Sequence, residues 1–171
     1  MSAAVLLGRC RRWVLVCDSG AYRNAVSRQM HAFPGRDGTD PAELRAAGRT
    51  EVIRYPSVRL EQVELADGRA VHARALLLAA GVVDELPPLP AVEQLYGRSV
   101  FHCPNCDGWE QRDQPIAVYG RGHDGLGLAL ELTAWSRDLV LCTDGPDGLD
   151  ERGRDRLGRH GIVIELRRIV E

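Results

Sequence analysis

Apolar positions along the chain fall into short runs broken by polar, glycine-rich or proline-rich segments, and the runs alternate between helical and strand lengths. Residues 3–12 predict a short helix. Residues 13–16, Trp-Val-Leu-Val, predict a buried strand that stops at Asp18-Ser19-Gly20. Helix, apolar strand and an acid at the strand end is the order of the second half of a dinucleotide-binding βαβ unit. On this reading the first half, a strand with a glycine-rich turn, is missing and the chain starts inside the helix. A loop rich in Arg, Gly, Pro and Asp follows over 22–40. Thr39 or Asp40 is then placed to cap a helix with Pro41 in its first turn and Glu43 close behind, ending before Pro56. Residues 63–66 and 70–73 flank Asp67-Gly68 and predict a β-hairpin with a tight turn. Leu76-Leu77-Leu78 predicts a short buried strand leading into Ala79-Ala80-Gly81.

The proline-rich stretch 85–90 reads as a linker and divides the chain into parts 1–90 and 91–171. The second part continues with a strand at 116–119, a turn Gly120-Arg121-Gly122-His123-Asp124-Gly125, a helix at 126–135 and a strand at 139–142. A helix at 149–160, charged on one face, and a strand at 162–164 close it. Alternating strands and helices make a parallel sheet. The expected fold class is therefore α/β, with two incomplete Rossmann-like parts and no internal repeat.

Composition changes this picture little. The chain has 171 residues with 22 basic and 24 acidic side chains, a formal charge of -2. Well-mixed charge gives no field that favours nucleic acid or an anionic membrane. No apolar run reaches the roughly 18 residues of a membrane helix. The basic residues near the start follow the apolar stretch rather than precede it, the reverse of a secretory signal, so a cytoplasmic location is expected. Aromatic residues make up 5 % of the chain, which leaves Leu, Val and Ala to build the cores.

The five cysteines contain one close pair. Cys10, Cys17 and Cys142 sit in apolar helix or strand segments and read as buried, inert thiols. The pair lies in His102-Cys103-Pro104-Asn105-Cys106-Asp107-Gly108. Two intervening residues allow a small disulfide ring, and at a helix start the same spacing makes a thiolate available near neutral pH. Asp107 could shuttle the proton that disulfide cleavage demands. Half of a zinc site, a structural disulfide and two unrelated buried thiols are the competing readings. A zinc site lacks its complementary ligand pair, with only His102, His123 and Cys142 as scattered candidates. No metal is expected.

Gly120-x-Gly122-x-x-Gly125 follows a predicted strand and opens a predicted helix, the context in which such glycines let a backbone approach a pyrophosphate. A glycine-rich turn with no ligand is the plain alternative. Asp144, at the next strand end, would accept a ribose 2′-hydroxyl and repel a 2′-phosphate, which favours NADH. Asp18 could hold the adenosine ribose of a nucleotide in the first part, or be an ordinary solvated strand end. His31, His72 and His160 read as surface histidines.

Together these segments resemble the low-molecular-weight thioredoxin reductase family. The resemblance runs through Leu7-Gly8-Arg9, Val14 to Gly20, Arg23-Asn24, Gly35-Arg36-Asp37-Gly38, Leu76 to Val82 and above all Phe101 to Glu110. It implies an FAD domain interrupted by a nicotinamide-nucleotide domain that carries a redox disulfide. Carried over, Cys106 would be the thiol nearer the flavin, Cys103 the one that exchanges with substrate and Asp107 the acid/base group. Asp18 and Gly81 would touch FAD, and Gly120, Gly122 and Gly125 would touch NAD(P)H. The partner implied is a thioredoxin-like protein or a small-molecule disulfide, and a homodimer is compatible with the pattern.

The chain departs from that pattern in several places. No flavin-side glycine turn precedes Ala3, Ala80 stands where the family has Thr, and no Gly-Asp flavin motif follows. The stretch between Pro56 and the hairpin is shorter than the family's, and the basic motif expected for NADPH is absent near Asp144. Two other functions stay open. One is an FAD-dependent dithiol oxidase, a family branch that passes electrons to oxygen without nicotinamide. The other is a catalytically inactive nucleotide-binding remnant.

Overall fold

The computed structural model describes residues 1–62 and 71–170. The chain forms two compact units, Met1–Glu85 and Leu86–Glu171.

In the first unit, helix α1 (Ser2–Arg9) leads into strand β1 (Val14–Asp18), and helix α2 (Pro41–Val52) leads into strand β2 (Val58–Gln62). The two strands pair in parallel, Val14 opposite Val58 and Asp18 opposite Gln62. Gly8 lets α1 lie tight on this pair, because a Cβ there would stand 2.8 Å from both Tyr55 and Val58 side-chain carbons. Asp40 caps α2, its Oδ1 accepting the Ala42 N–H at 2.6 Å, and Pro41 occupies the first turn, where no N–H is needed. A short 3₁₀ turn, Arg23–Val26, interrupts the loop between β1 and α2. Arg23 grips Asp84 through two guanidinium nitrogens, Nε at 2.8 Å and Nη2 at 2.6 Å.

Three expectations for this unit are corrected. Strand β1 is only half-covered, and Trp13 beside it is 88 % exposed, because two paired strands and two helices leave one face without a covering layer. Cys10 and Cys17 are exposed for the same reason. Leu76-Leu77-Leu78 forms no strand and is 80, 70 and 81 % exposed, since nothing among the described residues offers it a ladder of peptide groups. Residues 63–70 of the expected hairpin lie outside the described residues, and 71–73 are irregular and exposed. Strand β2 is not among the elements that the apolar pattern predicts.

The second unit holds two short helical turns, α3 (Val92–Leu95) and α4 (Pro104–Asp107). After them come strand β3 (Ile116–Tyr119), helix α5 (Gly122–Leu132), strand β4 (Leu139–Cys142), helix α6 (Glu151–Arg159) and strand β5 (Val163–Glu165). The strands form one parallel sheet in the order β3-β4-β5, as the alternation predicts. Val118, Leu126, Ala129, Leu132, Leu139, Leu141, Leu157 and Ile162 make its core. Leu157 reaches that core from an otherwise charged α6, which Asp150 caps by accepting the Gly153 N–H at 2.7 Å. Helix α5 starts four residues earlier than the hydrophobic run suggests, because its first turn is built from the glycine segment itself.

Candidate functional site

The redox motif lies on α4. Cys103 is its N-cap residue, Pro104 opens it and Asp107 ends it. Cys103 and Cys106 form a disulfide with their Cα atoms 5.3 Å apart, inside the range such a bond tolerates. Cys106 is exposed and Cys103 half-buried. Asp107 directly follows Cys106 and is partly exposed. On the preceding side, the Tyr96 hydroxyl and His102 Nδ1 share a hydrogen bond of 2.7 Å. Trp109, just beyond the motif, is 65 % exposed and carries the Arg112 guanidinium 4.2 Å above its ring.

The glycine turn lies at the carboxyl end of β3. A Cβ on Gly120 would sit 2.7 Å from the Gly125 Cα, and one on Gly125 would sit 2.6 Å from the Gly120 carbonyl carbon. Both glycines are therefore required for strand end and helix start to touch. Gly122 adopts φ +55 and donates its N–H to the Asp147 carbonyl at 2.7 Å. An open hollow of about 600 Å³ adjoins this end of the sheet, lined by Arg121, Asp144, Gly145, Pro146, Arg168 and Ile169 together with Pro88, Leu89 and Pro90. Ligands of open α/β sheets bind outside the carboxyl ends of the strands, which is where this hollow lies. Of the turn itself, Arg121 lines the hollow, and the Gly122 N–H is already bonded to the Asp147 carbonyl.

Asp144 does not present the free acceptor that the sequence suggests. Its Oδ2 faces Arg121 Nη2 at 3.2 Å, and its Oδ1 accepts the Ile169 N–H at 2.9 Å. Arg121 also donates from Nε to the Thr143 carbonyl at 2.5 Å and from Nη2 to the Asp144 carbonyl. A guanidinium from inside the glycine motif therefore covers the strand end where a ribose would be read. The signal was present in the sequence as a charged residue between the first two glycines, but its reach to the next strand was not legible.

In the first unit, Asp18 ends β1 and is mostly buried. Its Oδ1 accepts the Gly20 N–H at 3.0 Å, and its Oδ2 meets the Tyr22 hydroxyl at 2.8 Å and Arg49 Nη2 at 2.6 Å. The Gly20 N–H, then the Tyr22 hydroxyl and the Arg49 charge, hold its carboxyl below the usual range against the opposing effect of burial. Gly81 has φ +72, with open space where a side chain would stand. Asp18 is thus an ionised group at a parallel strand end whose two oxygens already have partners within the chain, while Gly81 leaves room for a close backbone approach. Among the described residues no three His, Cys, Asp or Glu side chains group as a metal site, and no helix is long and apolar enough to cross a membrane.

Residues 28–170 match the pyridine nucleotide-disulphide oxidoreductase family. The chain is 34 % identical to thioredoxin reductase tcpT of Claviceps purpurea, over 87 % of this chain and 53 % of that protein. It is 30 % identical to a thioredoxin reductase of Mycolicibacterium smegmatis, over 99 % of this chain and 57 % of that one. The crystal structure of an oxidoreductase from Agrobacterium tumefaciens superposes with a TM-score of 0.86 at 33 % identity, covering 98 % of this chain and 61 % of the other. The chain spans about half the length of the curated relatives it matches.

Proposed function

We propose, from the premise that the chain belongs to the pyridine nucleotide-disulphide oxidoreductase family, that it is a thioredoxin reductase-like disulfide oxidoreductase working through Cys103 and Cys106. The observation that carries this reading is the Cys103–Cys106 disulfide on a short surface helix, in the same unit as a Gly-x-Gly-x-x-Gly turn between parallel strands. The partner is a thioredoxin-like protein or a small-molecule disulfide. The setting is a reducing cytoplasm, where such a pair turns over rather than staying oxidised.

Starting from the dithiol, the Cys103 thiolate attacks one sulfur of the incoming disulfide, and the other sulfur leaves as a thiolate. Asp107 supplies the proton that the leaving thiolate takes up. Asp107 then takes up the Cys106 thiol proton; the Cys106 thiolate attacks the Cys103 sulfur of the mixed disulfide, restoring the intrachain bond, and the departing substrate thiolate accepts that proton, so the substrate leaves as a dithiol. Two electrons pass to the substrate. A bound flavin, reduced by NAD(P)H, is the source from which the pair would regain its two electrons. Asp18 and Gly81 are the residues that would hold FAD, and Gly120, Gly122 and Gly125 those that would line the nicotinamide nucleotide.

A second reading has one observation behind it. Arg121 lies on Asp144, so the ribose-reading corner of the nicotinamide site is filled by the chain itself. A dithiol oxidase, which needs no nicotinamide, accommodates that directly. The test is the visible spectrum of the purified chain with FAD, followed on adding a dithiol, NADH or NADPH. Flavin bleached by a nicotinamide supports the reductase. Flavin bleached by dithiol alone, and not in a Cys106→Ser variant, supports the oxidase. A chain that takes up no FAD overturns both and leaves the inactive remnant.

A further inference from the structure

Helix α4 spans four residues, too short to hold its shape by its own hydrogen bonds. Its internal bonds are the Cys106 and Asp107 N–H groups on the Cys103 carbonyl, at 3.0 and 3.3 Å, and the Gly108 N–H on the Pro104 carbonyl at 2.8 Å. What seats it is the turn that follows α5. A Cβ added at buried Gly108 would lie 2.9 and 3.0 Å from Trp135 Cδ2 and Cε2 and would also strike the Pro104 carbonyl oxygen. The indole therefore lies directly on the backbone that closes the redox turn. The same stretch holds the chain leaving the turn: Trp135 accepts the Asp113 N–H at 2.8 Å through its carbonyl, and the Ser136 hydroxyl donates to the Gln114 carbonyl at 2.6 Å. Ser136 is buried, and the Trp135 ring packs against the core of the unit. The platform under α4 is thus anchored independently of the disulfide.

We propose that Trp135 is a positioning residue for the Cys103–Cys106 pair, holding the reduced turn so that the two thiols stay within bonding reach. This rests on the redox reading given above. With the ring in place, opening the disulfide frees few conformations, and the effective concentration of one thiol at the other stays high. Without it the reduced turn spreads, and the disulfide re-forms less favourably.

The test equilibrates the full chain with glutathione and its disulfide, one intrachain disulfide exchanging for two reduced glutathiones, and reads the oxidised fraction by alkylation and mass. Trp135→Leu lowers the disulfide equilibrium constant about tenfold, ~30 mV for a two-electron couple. Trp135→Phe, which keeps a ring on Gly108, stays within about threefold of the parent. Trp135→Met, which keeps apolar bulk against the core but no flat ring on Gly108, lowers the constant in the same direction and decides the matter if the Leu variant does not fold. An unchanged constant in a folded Trp135→Leu, or in Trp135→Met where the Leu variant does not fold, with circular dichroism preserved, overturns the proposal alone. A parent pair that glutathione cannot open and close overturns the redox reading and the proposal with it.

Discussion

Asp147 is 5 % exposed and takes both Arg154 Nε and Nη2 at 2.9 Å, while its Oδ1 also accepts the Leu149 N–H at 2.9 Å. The Arg154 pair first, then the Leu149 N–H, hold its carboxyl down at about 2. Its folded value lies below its unfolded value of 3.8. The stability it contributes is therefore complete above about pH 4 and drains away as pH falls towards 2. Asp147→Ala should lower the stability of its unit by about 1 kcal/mol, by leaving the part-buried Leu149 N–H without its acceptor and Arg154 without its carboxylate. It should also flatten the acid limb of a melting-temperature-against-pH curve between pH 4 and 2. At the redox pair, the structure exposes Cys106 more than Cys103, whereas the family resemblance gives the exchange role to Cys103. In a Cys106→Ser variant a mixed disulfide with an added disulfide substrate should accumulate on Cys103 and persist. Mass spectrometry of the adduct checks this, and an adduct forming only in Cys103→Ser would reverse the assignment. The Cys pair, Asp18 and the three glycines were legible because each announces itself within a few neighbours. Arg49 on Asp18, Arg121 on Asp144 and Trp135 under Gly108 were not, because each reaches its partner across intervening elements.

Among the elements, the contact between β3 and α5 is the most exacting. Gly120 and Gly125 meet backbone to backbone, so a methyl group on either has no flexible neighbour to displace. Gly120→Ala and Gly125→Ala should each destabilise the second unit by about 1–3 kcal/mol, read as a shifted denaturation midpoint with an unchanged slope. Gly127, also in α5, has nothing within 4 Å of a Cβ and should accept Ala with no such loss. The three strands of this unit and the two helices between them followed from the sequence because its buried runs are bounded by glycine or charge and its sheet is fully alternating, whereas the single turns α3 and α4 are too short to show a period. Strand β2 escaped because Val58 and Leu60 alternate with Arg59 and Glu61 over only five residues, too few for a period of two to stand out. Leu76-Leu77-Leu78 misled for the opposite reason. An apolar run states a preference for burial, but a strand also needs a neighbour to receive its peptide groups.

At the scale of the whole molecule, the two units differ in how much they bury. The core cluster lies entirely in the second, whereas Ala4, Pro41 and Val52 are the buried apolar side chains of the first among the described residues. Local stability follows buried contacts. Amide hydrogen exchange should therefore be slowest at Val118 and Leu141 on β3 and β4 and through α5, and faster by orders of magnitude in β1 and β2. Equal protection in both units would contradict this. The uncovered run of Leu76, Leu77, Leu78, Val82 and Val83, each at least 59 % exposed, bears on how the molecule behaves in bulk solution. So many exposed apolar side chains within eight residues, on a chain whose net charge is only -2, meet little electrostatic repulsion from other copies. Colloidal stability, rather than unfolding, then sets its working concentration: salting-out ions such as sulfate drive these molecules together while both units remain folded.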